Sequence, residues 1–316
     1  MNFIRSAVKH LLGTKLFNNR LKNKIFIFCY HDISDESDLW HSAYYSTTIS
    51  SFEQQIKFIK ENFQIISISD LRAFKSLPKN KAYAIITFDD GFQSVLQNAY
   101  PILKPENIPF TVFINKSAVL KNRIWFSDLV LNRDNMSYLS SFYDVYFSRK
   151  NENIKKEFIS GNLMLAVENV NYEMLLNDTS DGDAHIYLNL KTWKEWSQSE
   201  PLLTLGNHTS NHFNLGKCSL ERAIEEITSN HEFIDSITKQ ENLYFAFPFG
   251  KIKHYTKDLV NWLIERKIKV FTTNPTYIDL NVSELPNLLP RIPIAKQTLQ
   301  EIIFLINRTT FKKIDL

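Results

Sequence analysis

Apolar runs that end abruptly in polar side chains recur along this chain. Residues 25–30 (IFIFCY), 82–88 (AYAIITF), 109–114 (PFTVFI) and 201–206 (PLLTLG) are rich in β-branched and aromatic residues. That is the pattern of strands covered on both faces. Residues 63–68, 244–247, 269–273 and 288–292 read as further strands. Helical patterns lie between them. Phe52, Ile56, Phe58 and Ile59 follow a capping-box sequence, Ser51-Phe52-Glu53-Gln54. Residues 70–77 and 94–103 predict shorter helices. Ser219 opens a long helix through Leu220, Ala223, Ile224, Ile227 and Ile234. Thr298-Leu299-Gln300-Glu301 caps a last one containing Ile302, Ile303, Leu305 and Ile306. This alternation argues an α/β fold with a mostly parallel sheet.

Residues 120–200 interrupt the alternation. They are rich in aromatic side chains and read as an inserted helical cap segment. Trp125, Phe126, Trp193 and Trp196 are candidates to stack on a ligand ring, with core packing favoured for Trp193 and Trp196. The acidic stretch holding Asp178, Asp181 and Asp183 lacks the Glu of a calcium loop and reads as a solvated turn.

The chemistry sits where the strands stop. Thr87-Phe88-Asp89-Asp90-Gly91 puts two carboxylates at the end of a buried strand. Charges there are costly unless paired, hydrogen-bonded or bound to a metal. A turn that caps the next helix would use the same residues. The second apolar strand end carries His208-Thr209-Ser210-Asn211-His212. Two His four apart on one helical turn reach a single cation. With one carboxylate from Asp89 or Asp90 they form a site with open positions, suited to Zn2+ or another transition metal.

In these motifs the chain resembles the polysaccharide deacetylases of the NodB-homology type, carbohydrate esterase family 4. TFDDG matches the family's first motif and HTSNH its second. Phe247-Pro248-Phe249-Gly250 is similar to the third, an Arg-x-Pro-[Tyr/Phe]-Gly loop. The resemblance runs from about residue 25 to about residue 293. It implies a distorted (β/α) barrel of about seven strands with a helical insertion. It implies a metal-dependent amide hydrolase acting on N-acetylated sugars. Asp89 would be the general base; Asp90, His208 and His212 would hold the metal, most suitably Zn2+. A backbone N–H near Phe249 would help hold the oxyanion, and Pro248, Phe249 and Trp125 would contact substrate.

Two departures from the family pattern matter. No His follows His254, so the usual C-terminal acid His is absent. The Tyr30-His31-Asp32 segment is similar to that of poly-N-acetylglucosamine deacetylases, which makes His31 the candidate general acid and Asp32 its candidate orienting partner. The third motif's Arg falls at Ala246. Arg291, in Leu289-Pro290-Arg291-Ile292-Pro293, is the candidate replacement to aim Asp89.

Composition changes little. Of 316 residues, 44% are hydrophobic and 22% charged, as in an ordinary globular protein. Cys29 and Cys218 make no disulfide framework, and Cys29 reads as a buried small hydrophobe. A net charge of +3 with no basic, aromatic-interleaved patch argues against nucleic acid. Residues 1–22 read as a basic amphipathic helix. It lies on an anionic membrane surface through residues 1–20 or packs on the barrel. Lys9, His10 and Lys15 interrupt any signal-peptide core, which favours the cytoplasm, with peripheral contact at the inner membrane face. The reading is one deacetylase-like domain over residues 1–316, acting in bacterial surface polysaccharide assembly. Its substrate is an N-acetylated sugar that is nucleotide-linked, lipid-linked or polymeric. The rival readings are a deformylase of a lipid-linked amino sugar and a non-catalytic carbohydrate-binding relative.

Overall fold

Strand β3 (Ala82–Phe88) pairs in parallel with β1 (Lys24–Tyr30) on one side and β4 (Phe110–Ile114) on the other. From β4 the sheet continues, still parallel, through β5 (Leu203–Asn207), β6 (Tyr244–Ala246), β7 (Lys269–Thr272) and β9 (Leu288–Pro290). After Arg291 the chain changes partner, and β10 (Ile292–Pro293) pairs with β1. β9 and β10 therefore act as one closing strand that joins the two edges of the sheet. The result is the (β/α) barrel expected. Short β2 (Gln64–Ile65) adds to β3, and β8 (Ile278–Asp279) runs antiparallel to β1. The computed structural model describes residues 19–35, 46–178, 186–240 and 244–311. Most of the expected N-terminal helix, and Asp181 and Asp183, lie outside them.

Alternation along the strands divides the core in two. Ile25, Ile27, Tyr83, Ile85, Phe113, Tyr244, Ala246, Phe271 and Leu289 form the barrel interior. Phe26, Phe28, Ala84, Ile86, Phe88, Val112 and Leu205 face outward, under the helices. Continued by one more step, the inward sides of β1, β3 and the closing strand carry His31, Asp89 and Arg291. The interior face thus leads to the site at the C-terminal ends of the strands, where barrels of this kind do their chemistry.

Helix α1 spans Ile49–Asn62, α2 Tyr100–Leu103 and α3 Lys116–Lys121. Then come α4 (Trp125–Leu131), α5 (Met136–Tyr146), α6 (Glu152–Ile159), α7 (Met164–Asn169), α8 (Tyr172–Leu176) and α9 (Leu190–Ser199), all between β4 and β5. Last are α10 (Leu220–Ile237), α11 (Lys257–Glu265) and α12 (Leu299–Phe311). Helix α1 starts ahead of Ser51, because the Thr48 hydroxyl accepts from Ser51 N at 3.1 Å and takes the cap. Ser219 and Thr298 do cap their helices. The helix expected at 94–103 begins as a wider π turn over Val95–Ala99. Among the described residues no helix is long and apolar enough to cross a membrane.

Candidate metal centre and active site

The parallel register brings the strand-end groups together. Tyr30 pairs with Phe88, so His31 and Asp89 emerge side by side. The Asp89 N–H donates to Tyr30 O at 2.9 Å, which fixes that exit. Asp90 and Gly91 then adopt positive φ, 72° and 77°, and turn the second carboxylate toward β5. Asn207 ends β5 opposite Phe245, so His208 comes up beside Ala246. The contact His208 Nδ1···Ala246 O, 2.8 Å, leaves Nε2 directed at the carboxylates.

His208 and His212 do not sit on a helical turn, which corrects the expectation from their spacing. They lie on a loop in which Thr209 and His212 have φ of 70° and 55°. Buried amides hold that strained path. Asn115 Nδ2 donates to the carbonyls of His208 and Thr209. Asn207 Oδ1 accepts from Thr209 N and from Asn230 Nδ2, each at 2.8 Å. Glu226 accepts from Asn211 N at 2.8 Å and from Asn211 Nδ2 at 2.6 Å. Trp125 Nε1 donates to His212 O at 3.0 Å. The loop delivers His208 Nε2 to 3.5 Å and His212 Nε2 to 3.3 Å from Asp90 Oδ1.

These atoms suit a metal. An ion with bonds of roughly 2.0–2.1 Å in tetrahedral directions spaces its ligand atoms about 3.3–3.4 Å apart. Asp90 Oδ1 is buried and has no hydrogen-bond partner. Burial, with the charge of Asp89 beside it, pushes the Asp90 carboxyl well up. Burial pushes His208 down, and burial with His208 as neighbour pushes His212 well down, so both are neutral imidazoles. Two neutral imidazoles and an unsatisfied carboxylate oxygen are the donor set a divalent transition metal takes.

Beside this triangle lies a different carboxylate. Arg291 donates to Asp89 from both terminal guanidinium nitrogens, at 2.6 and 2.8 Å, and both side chains are buried. Burial alone would push Asp89 up. The Arg291 guanidinium more than offsets this and holds Asp89 well below the usual carboxylate range. Ala246, where the third motif's Arg would fall, belongs to the barrel interior, and Arg291 reaches Asp89 from the closing strand instead. His31 Nε2 lies 4.0 Å from Asp89 Oδ2. Burial pushes His31 down to about 4, with Asp89 opposing and Arg291 reinforcing the shift. Asp32 accepts from Ser94 Oγ at 2.7 Å and from Ser34 Oγ. Cys29 is buried, as a small hydrophobe should be. Its thiol also contacts Asp89 Oδ2 at 3.3 Å, a contact that residue type alone did not suggest. Only the inward alternation of β1, placing Cys29 two residues before His31, could have signalled it.

The site opens into a cavity of about 480 Å³. Phe249 lines it with φ of 61° and packs edge-on against the His212 ring at 4.8 Å. Gly250 follows at φ 64°, where an added Cβ would fall 2.7 Å from Thr273 N. Pro248 and Trp125 are not on the cavity wall. Trp125 lies behind His212, and Phe126 takes the lining position. Trp193 and Trp196 stack on each other at 5.5 Å within the core.

Comparison with known proteins gives this geometry its context. A stretch of 74 residues is 38% identical to a poly-beta-1,6-N-acetyl-D-glucosamine N-deacetylase of Staphylococcus aureus, covering 22% of this chain and 25% of that protein. The match thus spans about a quarter of the curated relative. Among solved structures, the Streptococcus pyogenes deacetylase PplD in complex with acetate aligns with a TM-score of 0.59 at 19% identity, over 90% of this chain and 98% of that one. IcaB from Ammonifex degensii aligns with a TM-score of 0.56 at 16% identity, over 90% and 97% of the two chains. These likenesses speak to the fold. The family model for polysaccharide deacetylase matches residues 76–264, from before the paired Asp to beyond the Phe249 loop. That is more than half of the chain, and the protein belongs to the polysaccharide deacetylase family.

Proposed function

We propose that this protein is a metal-dependent N-deacetylase of an amino sugar, serving the assembly of a bacterial surface polysaccharide. The observation that carries the reading is the division of labour between two adjacent carboxylates. Asp90 faces two neutral imidazoles, whereas Asp89 is gripped by Arg291 and faces the cavity.

Asp90, His208 and His212 hold the metal, for which Zn2+ is the best match to two imidazoles and a carboxylate. When bound, such an ion lowers the pKa of a water and polarises the acyl carbonyl. Asp89 Oδ2 takes the proton from the attacking water. From Asp89 the proton passes to His31 Nε2, which lies 4.0 Å from Asp89 Oδ2. From His31 it reaches the departing nitrogen as the C–N bond breaks, leaving acetate and a free amine. Arg291 keeps Asp89 ionised and aimed throughout. The Phe249 backbone N–H, on a left-handed turn at the cavity wall, supplies a donor for the oxyanion. Phe249 and Phe126 offer apolar faces to the sugar ring.

The test is release of acetate from a panel of N-acetylated amino sugars by the Zn2+-loaded protein, with formate release from N-formyl analogues measured in parallel. Acetate release supports the reading, and formate alone would redirect it to deformylation. Neither product from any sugar, with the metal site loaded, would contradict it.

A further inference from the structure

Phe249 and Gly250 both hold positive φ, 61° and 64°, at the cavity wall. A left-handed aromatic residue is strained and persists only where its surroundings fix it. Part of the fixing comes from the end of β7. Thr273 Oγ1 donates to Phe249 O at 2.8 Å, and Thr273 N donates to Gly250 O at 3.0 Å. The rest comes from His254, a buried side chain that the reaction above does not use.

His254 folds back on the loop that carries Phe249. The Lys251 N–H donates to His254 Nδ1 at 3.2 Å, and the His254 N–H donates to Lys251 O at 2.8 Å. The imidazole stands edge-on to the Phe249 ring, with centroids 5.5 Å apart. Burial pushes the imidazole down, so it is neutral. Because Nδ1 accepts, the one ring proton sits on Nε2. Nε2 lies 3.6 Å from Glu168 Oε1, which belongs to α7 of the insertion. Glu168 also pairs with Lys253 at 2.7 Å and with Lys217 at 3.3 Å. Lys217 comes from the chain just after His212, and an added Cβ on its neighbour Gly216 would fall 2.6 Å from Lys253 O. One carboxylate of the insertion thus ties together the segments that follow His212 and Phe249. Glu168 is 25% exposed, so its lysine pairs contribute little by themselves. The buried imidazole is the part that reaches the Phe249 loop.

Resting on the deacetylase reading above, in which the Phe249 N–H serves the oxyanion, we propose that His254 is the positioning residue of that donor. His254 is not on the cavity wall, so it acts through the loop and not on the substrate. A donor that drifts loses transition-state stabilisation and leaves substrate binding alone.

The experiment compares the Zn2+-loaded wild type with His254→Leu, which fills the space and accepts nothing, and His254→Asn, whose amide oxygen can accept from the Lys251 N–H. Steady-state kinetics use the best substrate of the N-acetylated panel. Metal content and hydrogen exchange of residues 247–251 are measured beside them. In His254→Leu, kcat should fall about tenfold or more with KM within about twofold, metal retained and exchange faster. His254→Asn should recover most of both losses. Equal losses in the two variants, a change in KM alone, or unchanged exchange in His254→Leu would overturn the proposal. Glu168→Gln covers the case of a Leu variant that does not fold. It should show the same signature at about threefold, and kinetics and exchange identical to the wild type would overturn the proposal. If the wild type hydrolyses nothing in the panel, the deacetylase reading fails. Exchange in the variants then still decides whether His254 holds the loop.

Discussion

Arg291 and Asp89 stand 202 positions apart in the chain and form two parallel hydrogen bonds, at 2.6 and 2.8 Å, inside the barrel mouth. The closing strand changes partner at Arg291, so the residue that completes the barrel also fixes the candidate base. Arg291→Lys keeps the charge and loses the fork. We expect kcat to fall on the order of a hundredfold with the metal retained. Without the fork the Asp89 pKa rises, so the acid limb of kcat/KM should move to higher pH. Steady-state kinetics across pH, beside metal analysis, would show this; an unchanged profile would mean that Arg291 does not control Asp89.

Asp89→Asn removes the proton acceptor and leaves Asp90, His208 and His212 in place. Turnover should disappear while the metal stays bound. A variant that keeps activity would remove Asp89 from the role of base. Loss of metal along with activity would instead mean that Asp89 belongs to the ligand set.

His31 separates two parts of the reaction. An amide needs a proton on its leaving nitrogen, and an activated ester with a good leaving group does not. His31→Ala should slow amide hydrolysis by about 10²–10⁴-fold and ester hydrolysis far less. Equal loss on both substrates would assign His31 to structure or metal binding.

Glu226 in α10 accepts both donors of Asn211, between Ser210 and His212. Burial pushes its carboxyl up to about 7, against those two hydrogen bonds, from an ordinary value of 4.5. A group that binds its proton more tightly when folded adds stability that is complete below its unfolded pKa. That stability is lost as pH rises through the folded one. The unfolding midpoint of the protein should therefore fall between about pH 5 and about pH 8 more steeply than that of Glu226→Gln, which does not titrate. Parallel profiles from thermal melts would contradict the burial of an ionisable Glu226.

Much of this was written plainly along the chain. Runs such as AYAIITF can be nothing but covered strands, and carboxylates or imidazoles at their ends stand out because burial makes them expensive. The strand-end groups Asp89, Asp90, His208 and His212 stood out for that reason, and Arg291 because it too follows an apolar run; the choice of Asp90 as the candidate ligand came only from the family resemblance. What escaped depends on long-range geometry. The His208–His212 spacing suggests a helix, but Asn115, Asn207 and Glu226 hold a loop with two left-handed residues, and no local pattern encodes that. Trp125 has the residue type of a sugar platform, yet its indole N–H is spent on the His212 carbonyl. The hydroxyl of Thr48 took the cap that the Ser51 sequence seemed to offer. Cys29 reads as filler until the register of β1 and β3 sets it against Asp89.

The proposed hydrolysis needs a divalent ion held by Asp90, His208 and His212. The most direct test is the metal content of the purified protein beside His208→Ala. We expect about one divalent transition metal per chain in the wild type, lost in the variant. A wild type that binds none, even after reconstitution with Zn2+, would contradict the metal centre and the hydrolysis built on it.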